Sequence, residues 1–480
     1  KAFTLLLVSS FLILLPAMAQ KTDFDAAWKK LQDLEKKGLT QSASQQANVI
    51  FDLALSSQNE PQQIKAAMYV MKYRYTLSDE EAMAKNYAYI DSLVNKTKAP
   101  AKNILLSMQA DYLHAFKNNN RYQLYQRTAL ENENSTDIHT WSLKKLNAEI
   151  EKLYKASLQN DELLKTTPVS QFNDILDKGE NTRILRPTLY DFLAHRALSY
   201  FINTENDISS PGFKFIIDDE NAFANTATFV KIKFKTQDSS SLLYQALLVF
   251  QDILRFHLLD KNTDALIDAD IERINFVHDH AVVADKDQLY ELALKAIEQT
   301  YANNPLVADA MYARANLYFN QGEQYDRITK KEFQFKLKEA VALCKETVAK
   351  YPGTAGALNC FNLDNMIHRP GLDMVTEKVN VSNTAFRTLV KYKNLSTIYL
   401  RIVKTNYDDW NKLVNQEMYK SWEALVNSNV LKSWSQSFPN PGDMQDHAAE
   451  IKIDGLPNGM YVILASLSPN FELSNNYLSR

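Results

Sequence analysis

A chain of 480 residues is long enough for two to four domains with sizeable cores, yet it contains only 10 glycines. Helical hairpins need few positive-φ positions and tight-turned sheets need many, so this scarcity argues against sheet over most of the length. The net charge is −3 with lysine and glutamate interspersed, which removes any electrostatic case for a nucleic-acid partner.

The first residues read as an export signal, expected over 1–19. Lys1 supplies a positive start, and Ala2 to Leu15 is a short apolar run. Ala17 and Ala19 make a small-x-small cleavage site before Gln20. The run is too short for a stable membrane span with its flanks. The mature chain is therefore expected to be exported, to the periplasm or the extracellular space.

Residues 20–157 are expected to form an N-terminal helical domain. Phe24, Trp28, Leu31 and Leu34 make one face ending at Gly38; Ala47, Ile50, Phe51 and Ala54 make the next. Ile64, Met68, Met71 and Tyr75 predict a third, and helices are expected over 104–116 and 141–154. A second helical domain is expected over 158–370. It is interrupted near 213–235, where Phe213–Ile217 and Phe229–Lys235 alternate at period two and predict a small β-hairpin. Lys231, Lys233 and Lys235 share one face of it, which reads as solvated surface.

Within this domain one pattern occurs twice. Ala293, Thr300, Ala302 and Pro305 recur 47 residues on as Ala340, Thr347, Ala349 and Pro352, and the register continues through Ala308/Ala355 and Ala310/Ala357. Leu289, Leu292, Ala293, Ala296, Ile297 and Tyr301 predict one apolar helix face; Leu337, Ala340, Val341, Cys344 and Val348 predict its counterpart. Alanines at close helix approaches, followed by a helix-ending proline, are a tetratricopeptide kind of pattern, whose units must stack to cover their apolar faces.

Seven of the ten glycines follow residue 320, and from Gly371 the period changes. Five strands are expected, over 374–381, 386–392, 397–404, 448–453 and 459–466. A polar insertion carrying Trp410, Trp422 and Trp434 separates the third from the fourth. Five is two short of a seven-stranded sandwich, so the module at 371–480 is expected to be incomplete. The fold class expected is mainly α: a TPR-like helical-hairpin array followed by a truncated antiparallel β-sandwich.

Several stretches in this order resemble the N-terminal portion of large bacterial alpha-2-macroglobulin family proteins. Trp28–Ala43, Gln62–Ala67, Asp137–Trp141 and Leu185–Ala194 resemble the helical region, and Leu456–Ser466 resembles a strand pair of the first macroglobulin sandwich. The resemblance implies a scaffold in an endopeptidase-inhibitor family, with proteases as partners through the full-length parent and an envelope protein as a further partner of the helical face. It carries over no trapping residue: Cys344 is followed by Lys-Glu-Thr and Cys360 by Phe-Asn-Leu, neither of which is the family's Cys-x-Glu-Gln thioester motif. The competing class is a periplasmic scaffold binding protein or glycan.

Chemistry-bearing motifs are otherwise sparse. Cys344 and Cys360 lie eight residues either side of Pro352, a spacing that suits a disulfide between antiparallel helices or two buried reduced thiols. Asp260, Asn262 and Asp264 sit as a calcium loop's first ligands do, but Ala265 and Ile271 occupy its glycine and glutamate positions. His278 and His280 have no third ligand at metal spacing. No nucleophile elbow, zincin helix or phosphate loop is present, so neither enzyme activity nor a cofactor is expected.

Overall fold

The structure is a computed structural model that describes residues 24–77, 81–126, 135–179, 182–203, 213–474 and 478–479. The signal-sequence positions Ala17, Ala19 and Gln20 lie outside the described residues. The chain is mainly helical, with a smaller antiparallel β region towards its C-terminal end. It divides into two compact units, Lys1–Phe215 with Phe234–Ile253, and Ile216–Lys233 with Leu254–Arg480.

In the first unit the main helices are α1 (Phe24–Lys36), α2 (Thr40–Ser56), α3 (Glu60–Leu77), α4 (Ala82–Lys96), α5 (Ala101–Asn119), α6 (Leu143–Ser157) and α7 (Leu189–Phe201). Trp28 and Leu31 of α1 pack with Ala43, Ala47 and Ile50 of α2 and with Ala66, Val70 and Tyr73 of α3. The expected face of α3 is therefore rotated: Met68 and Tyr75 are exposed. Ala66 lets α2 and α3 approach closely beside Val70 and Tyr73, while Met68 and Tyr75 fall on the outer side. The Trp28 indole donates to Gln62 Oε1 at 2.6 Å, giving the buried N–H its partner. Asn103 donates to the carbonyls of Ser157 and Gln159, which terminate α6. A reciprocal Thr188–Asp191 capping box starts α7.

The hairpin expected at 213–235 does not form. Ile217 instead makes an isolated parallel bridge with Ala281, and residues 220–223 and 226–229 are short helical turns started by Asp219 and Asn225. Lys231, Lys233 and Lys235 are exposed as expected, but their segment has no strand partner. The cause is a buried charge. Arg273, fully enclosed, donates to the Ala222 carbonyl at 2.5 Å and to Asp270, and its guanidinium lies 4.5 Å from the Phe229 ring centre. Asp270 in turn accepts from Thr226 Oγ1 at 2.6 Å. These bonds draw 222–229 into turns.

Helix α8 (Leu242–His257) is followed in the second unit by α9 (Asp264–His280), α10 (Lys286–Thr300), α11 (Val307–Glu323), α12 (Lys336–Lys350) and α13 (Ala355–His368). The two sequence copies coincide with the hairpins α10–α11 and α12–α13. The buried face of α10 is centred on Tyr290, Ala293, Leu294 and Ile297, so the expected Leu292 and Ala296 are exposed. Gly356 shows how closely α13 approaches α11: a Cβ there would lie 2.3 Å from the Ala308 carbonyl.

Seven strands follow among the described residues: β1 (Gly371–Thr376), β2 (Phe386–Lys393), β3 (Thr397–Thr405), β4 (Val430–Ser437), β5 (His447–Ile453), β6 (Met460–Ser466) and β7 (Leu478–Ser479). They form two antiparallel sheets, β1-β2-β5 and β4-β3-β6-β7, which share one core. Met374, Val390 and Ile451 from one sheet meet Ile398, Leu400 and Ala465 from the other. The expectation of five strands is thus corrected. β4 was hidden because it is a polar edge strand, with Val430 to Ser433 all exposed and no apolar alternation. The rest of the expected insertion is α14 (Tyr407–Val414) and α15 (Met418–Val426). Trp410 and Trp422 on them pack with Val403, Val462 and Leu464 on the sheet's other face. Gln445 donates to the Gly322 carbonyl and Asn394 to the Ile367 carbonyl, so the sandwich is hydrogen-bonded to the helices of its own unit.

Candidate binding groove

Helix α11 sits inside the helical stack, and most of its surface is apolar and covered: Ala308, Met311, Ala315 and Tyr318 join the core with Leu337, Ala340 and Cys344 of α12. Its remaining stripe faces a groove of about 770 Å³ bounded by α9, the first turns of α10, and α11. Tyr312, Asn316 and Asn320 follow one another along it at four-residue steps, one ridge of the helix surface. Ala313, Leu317 and Ile271 supply the apolar floor.

The opposite wall is knitted together. His278 Nε2 is 2.8 Å from Asp287 Oδ1, and its ring stacks on Tyr290 with centres 4.1 Å apart. Tyr290 donates to Asn275 Oδ1 at 2.7 Å, and Gln321 donates to Asp287 Oδ2 at 3.1 Å. Burial alone would raise the Asp287 carboxyl, but hydrogen bonds from His278 and Gln321 hold it below its ordinary value. Asp309, at one end of the groove, is pushed up to about 6 by burial and by Asp268, against a backbone hydrogen bond from Gly356. By contrast, the side chains of Tyr312, Asn316 and Asn320 have no hydrogen-bond partner among the described residues, nor does the amide nitrogen of Asn275. The wall is bonded internally and the solvent-accessible α11 ridge has no protein partner, the arrangement of a surface able to hydrogen-bond a polar ligand.

The motifs singled out in the sequence lie elsewhere or act structurally. Cys344 and Cys360 are brought together: both are buried free thiols, and a thiol–thiol hydrogen bond, followed by burial, pushes Cys344 well up. Asp260 pairs with His257 at 2.7 Å, and Asp264 accepts from Asn304 at 2.7 Å, so both carboxylates are engaged by neighbours. His278 lines the groove, while His280 packs on Phe276 with ring centres 4.9 Å apart. Among the described residues no group of three His, Cys, Asp or Glu side chains gathers as metal ligands do. No described helix is long and apolar enough to cross a membrane.

The groove residues Tyr312, Asn316, Asn320 and Asp309 were not among the sequence candidates. The signal available was the four-residue polar row on an otherwise alanine-rich helix. Compared with known proteins, the chain matches no family model and no curated sequence.

Proposed function

We propose that this chain is the N-terminal scaffold of an exported bacterial alpha-2-macroglobulin-like protein, with protease capture assigned to sequence other than these 480 residues. The helices would form a TPR-like array, and the β region would be a macroglobulin-type sandwich. One observation carries the reading: a two-sheet, seven-stranded antiparallel sandwich directly follows the stacked hairpins, and Leu456–Ser466 provides its β6 and the preceding turn. Gly455 opens that turn against Asn383, where a Cβ would lie 2.5 Å from the backbone. The two cysteines take no part in protease chemistry on this reading, since both are enclosed in the helical core.

The test is incubation of the whole parent polypeptide with a broad-specificity protease. Capture predicts a stable high-mass complex that still cleaves small chromogenic substrates but spares large protein substrates. Free protease with unchanged activity on both would contradict it.

A second reading, a docking scaffold of the cell envelope that traps nothing, is favoured by one feature, the α11 ridge of unpartnered polar groups. A polypeptide that leaves proteases free yet binds through that groove would be assigned to this class.

A further inference from the structure

We infer that the groove between α9 and α11 binds an extended peptide segment carrying lysine or arginine. This rests on the docking reading of the groove and is independent of protease capture.

Spacing selects the ligand's backbone. Asn316 and Asn320 are one helical step of four residues apart, about 6 Å along the axis at 1.5 Å per residue. An extended chain repeats its same-side groups every two residues, about 6.6 Å. Successive carboxamides can therefore meet successive main-chain amides of one peptide. Each carboxamide both donates and accepts, as the main chain requires. Tyr312 extends the row by one more step at one end, and the free nitrogen of Asn275 stands across the groove on α9. The floor at Ala313 is small enough for a backbone to lie close.

Charge selects the side chains. Asp279, Asp287 and Asp309 line the groove; Glu323 at its rim is held by Lys393 at 3.5 Å, and the lining lysine, Lys286, is held to the His278 carbonyl at 3.2 Å. Asp279 lies 3.9 Å from His278 Nδ1 but is 72% exposed, so its open side can meet a ligand cation. A basic peptide gains charge-assisted contacts there, whereas an acidic one is repelled. An uncharged oligosaccharide could donate hydroxyl hydrogen bonds to the carboxylates but would gain no ionic attraction from them.

Fluorescence anisotropy on the 480-residue chain tests this with a labelled Ser-Lys-Ser-Lys-Ser-Lys amide, its Ser-Glu counterpart, and a labelled neutral oligosaccharide. The basic peptide is expected to bind, more weakly as salt rises, and the other two to bind at least about tenfold less tightly. The Asn316→Ala/Asn320→Ala double variant should weaken the basic peptide by about tenfold while its circular dichroism and unfolding midpoint stay unchanged. Should the double variant unfold, Asn320→Ala alone, on an exposed position, is read instead. The inference is overturned if no peptide binds at about 1 mM, if the acidic peptide or the oligosaccharide binds as well as the basic one, or if the folded variant binds unchanged.

Discussion

Arg273 is the largest side chain hidden completely among the described residues, and it organises its surroundings through Asp270, Thr226 and the Ala222 carbonyl. Removing one partner of such a pair strands the other charge out of water, whereas replacing both by apolar residues avoids that cost. Asp270→Ala is therefore expected to lower stability by about 3–5 kcal/mol in chemical denaturation, and Asp270→Leu/Arg273→Met by clearly less. A single variant costing under about 1 kcal/mol would show that the pair is not enclosed. None of this was legible in the sequence, because an Asp and an Arg three residues apart on a helix usually describe a solvated face. Asp309 makes a pH prediction. Its carboxyl titrates near 6 in the folded chain against 3.8 as an unperturbed group, so the folded state holds the proton more tightly. Its contribution is fully present below about 3.8 and is lost as pH rises through about 6. Asp309→Asn should flatten the fall of stability between those pH values, measured by urea midpoints across the series. An unchanged slope would mean that Asp309 is well solvated.

Among the elements, repetition and period were the legible signals. The Ala293/Ala340 copies marked α10–α11 and α12–α13, and the alternation of Ile398, Leu400 and Ile402 marked β3, whose inward residues are all buried. Where the outcome differed, neighbours decided. The segment 231–235 alternates in exposure but no described strand lies beside it, and β4 lies in a sheet although its Val430, Leu431 and Trp434 make no apolar alternation. The groove is half legible: the Tyr312–Asn316–Asn320 row can be counted along the chain, but Asn275 joins it only through packing of α9. The closest helix approach gives a direct test. Gly356→Ala places a methyl group against the Ala308 carbonyl at 2.3 Å, so α11 and α13 must separate. The expected loss is about 1–3 kcal/mol, whereas Leu358→Ala, on the exposed side of the same helix, should cost little. Equal unfolding midpoints for Gly356→Ala and the parent would place the two helices further apart than described.

For the whole molecule, the change from helical to strand periodicity at Gly371 falls inside the second compact unit. There the hairpins and the sandwich share hydrogen bonds from Gln445 and Asn394, and Gln334 donates to Asp443 at 3.1 Å. Such a unit should open cooperatively, its helices and strands exchanging their amides through common opening events. Native-state hydrogen exchange on the intact chain, resolved by mass spectrometry, measures this most directly. The account predicts that residues 336–350, 355–368 and 397–405 share the slowest exchange, and that 430–437 is protected despite its polar sequence. Exchange of 397–405 and 430–437 at the rate of the 377–385 connection, while the helices remain protected, would contradict it.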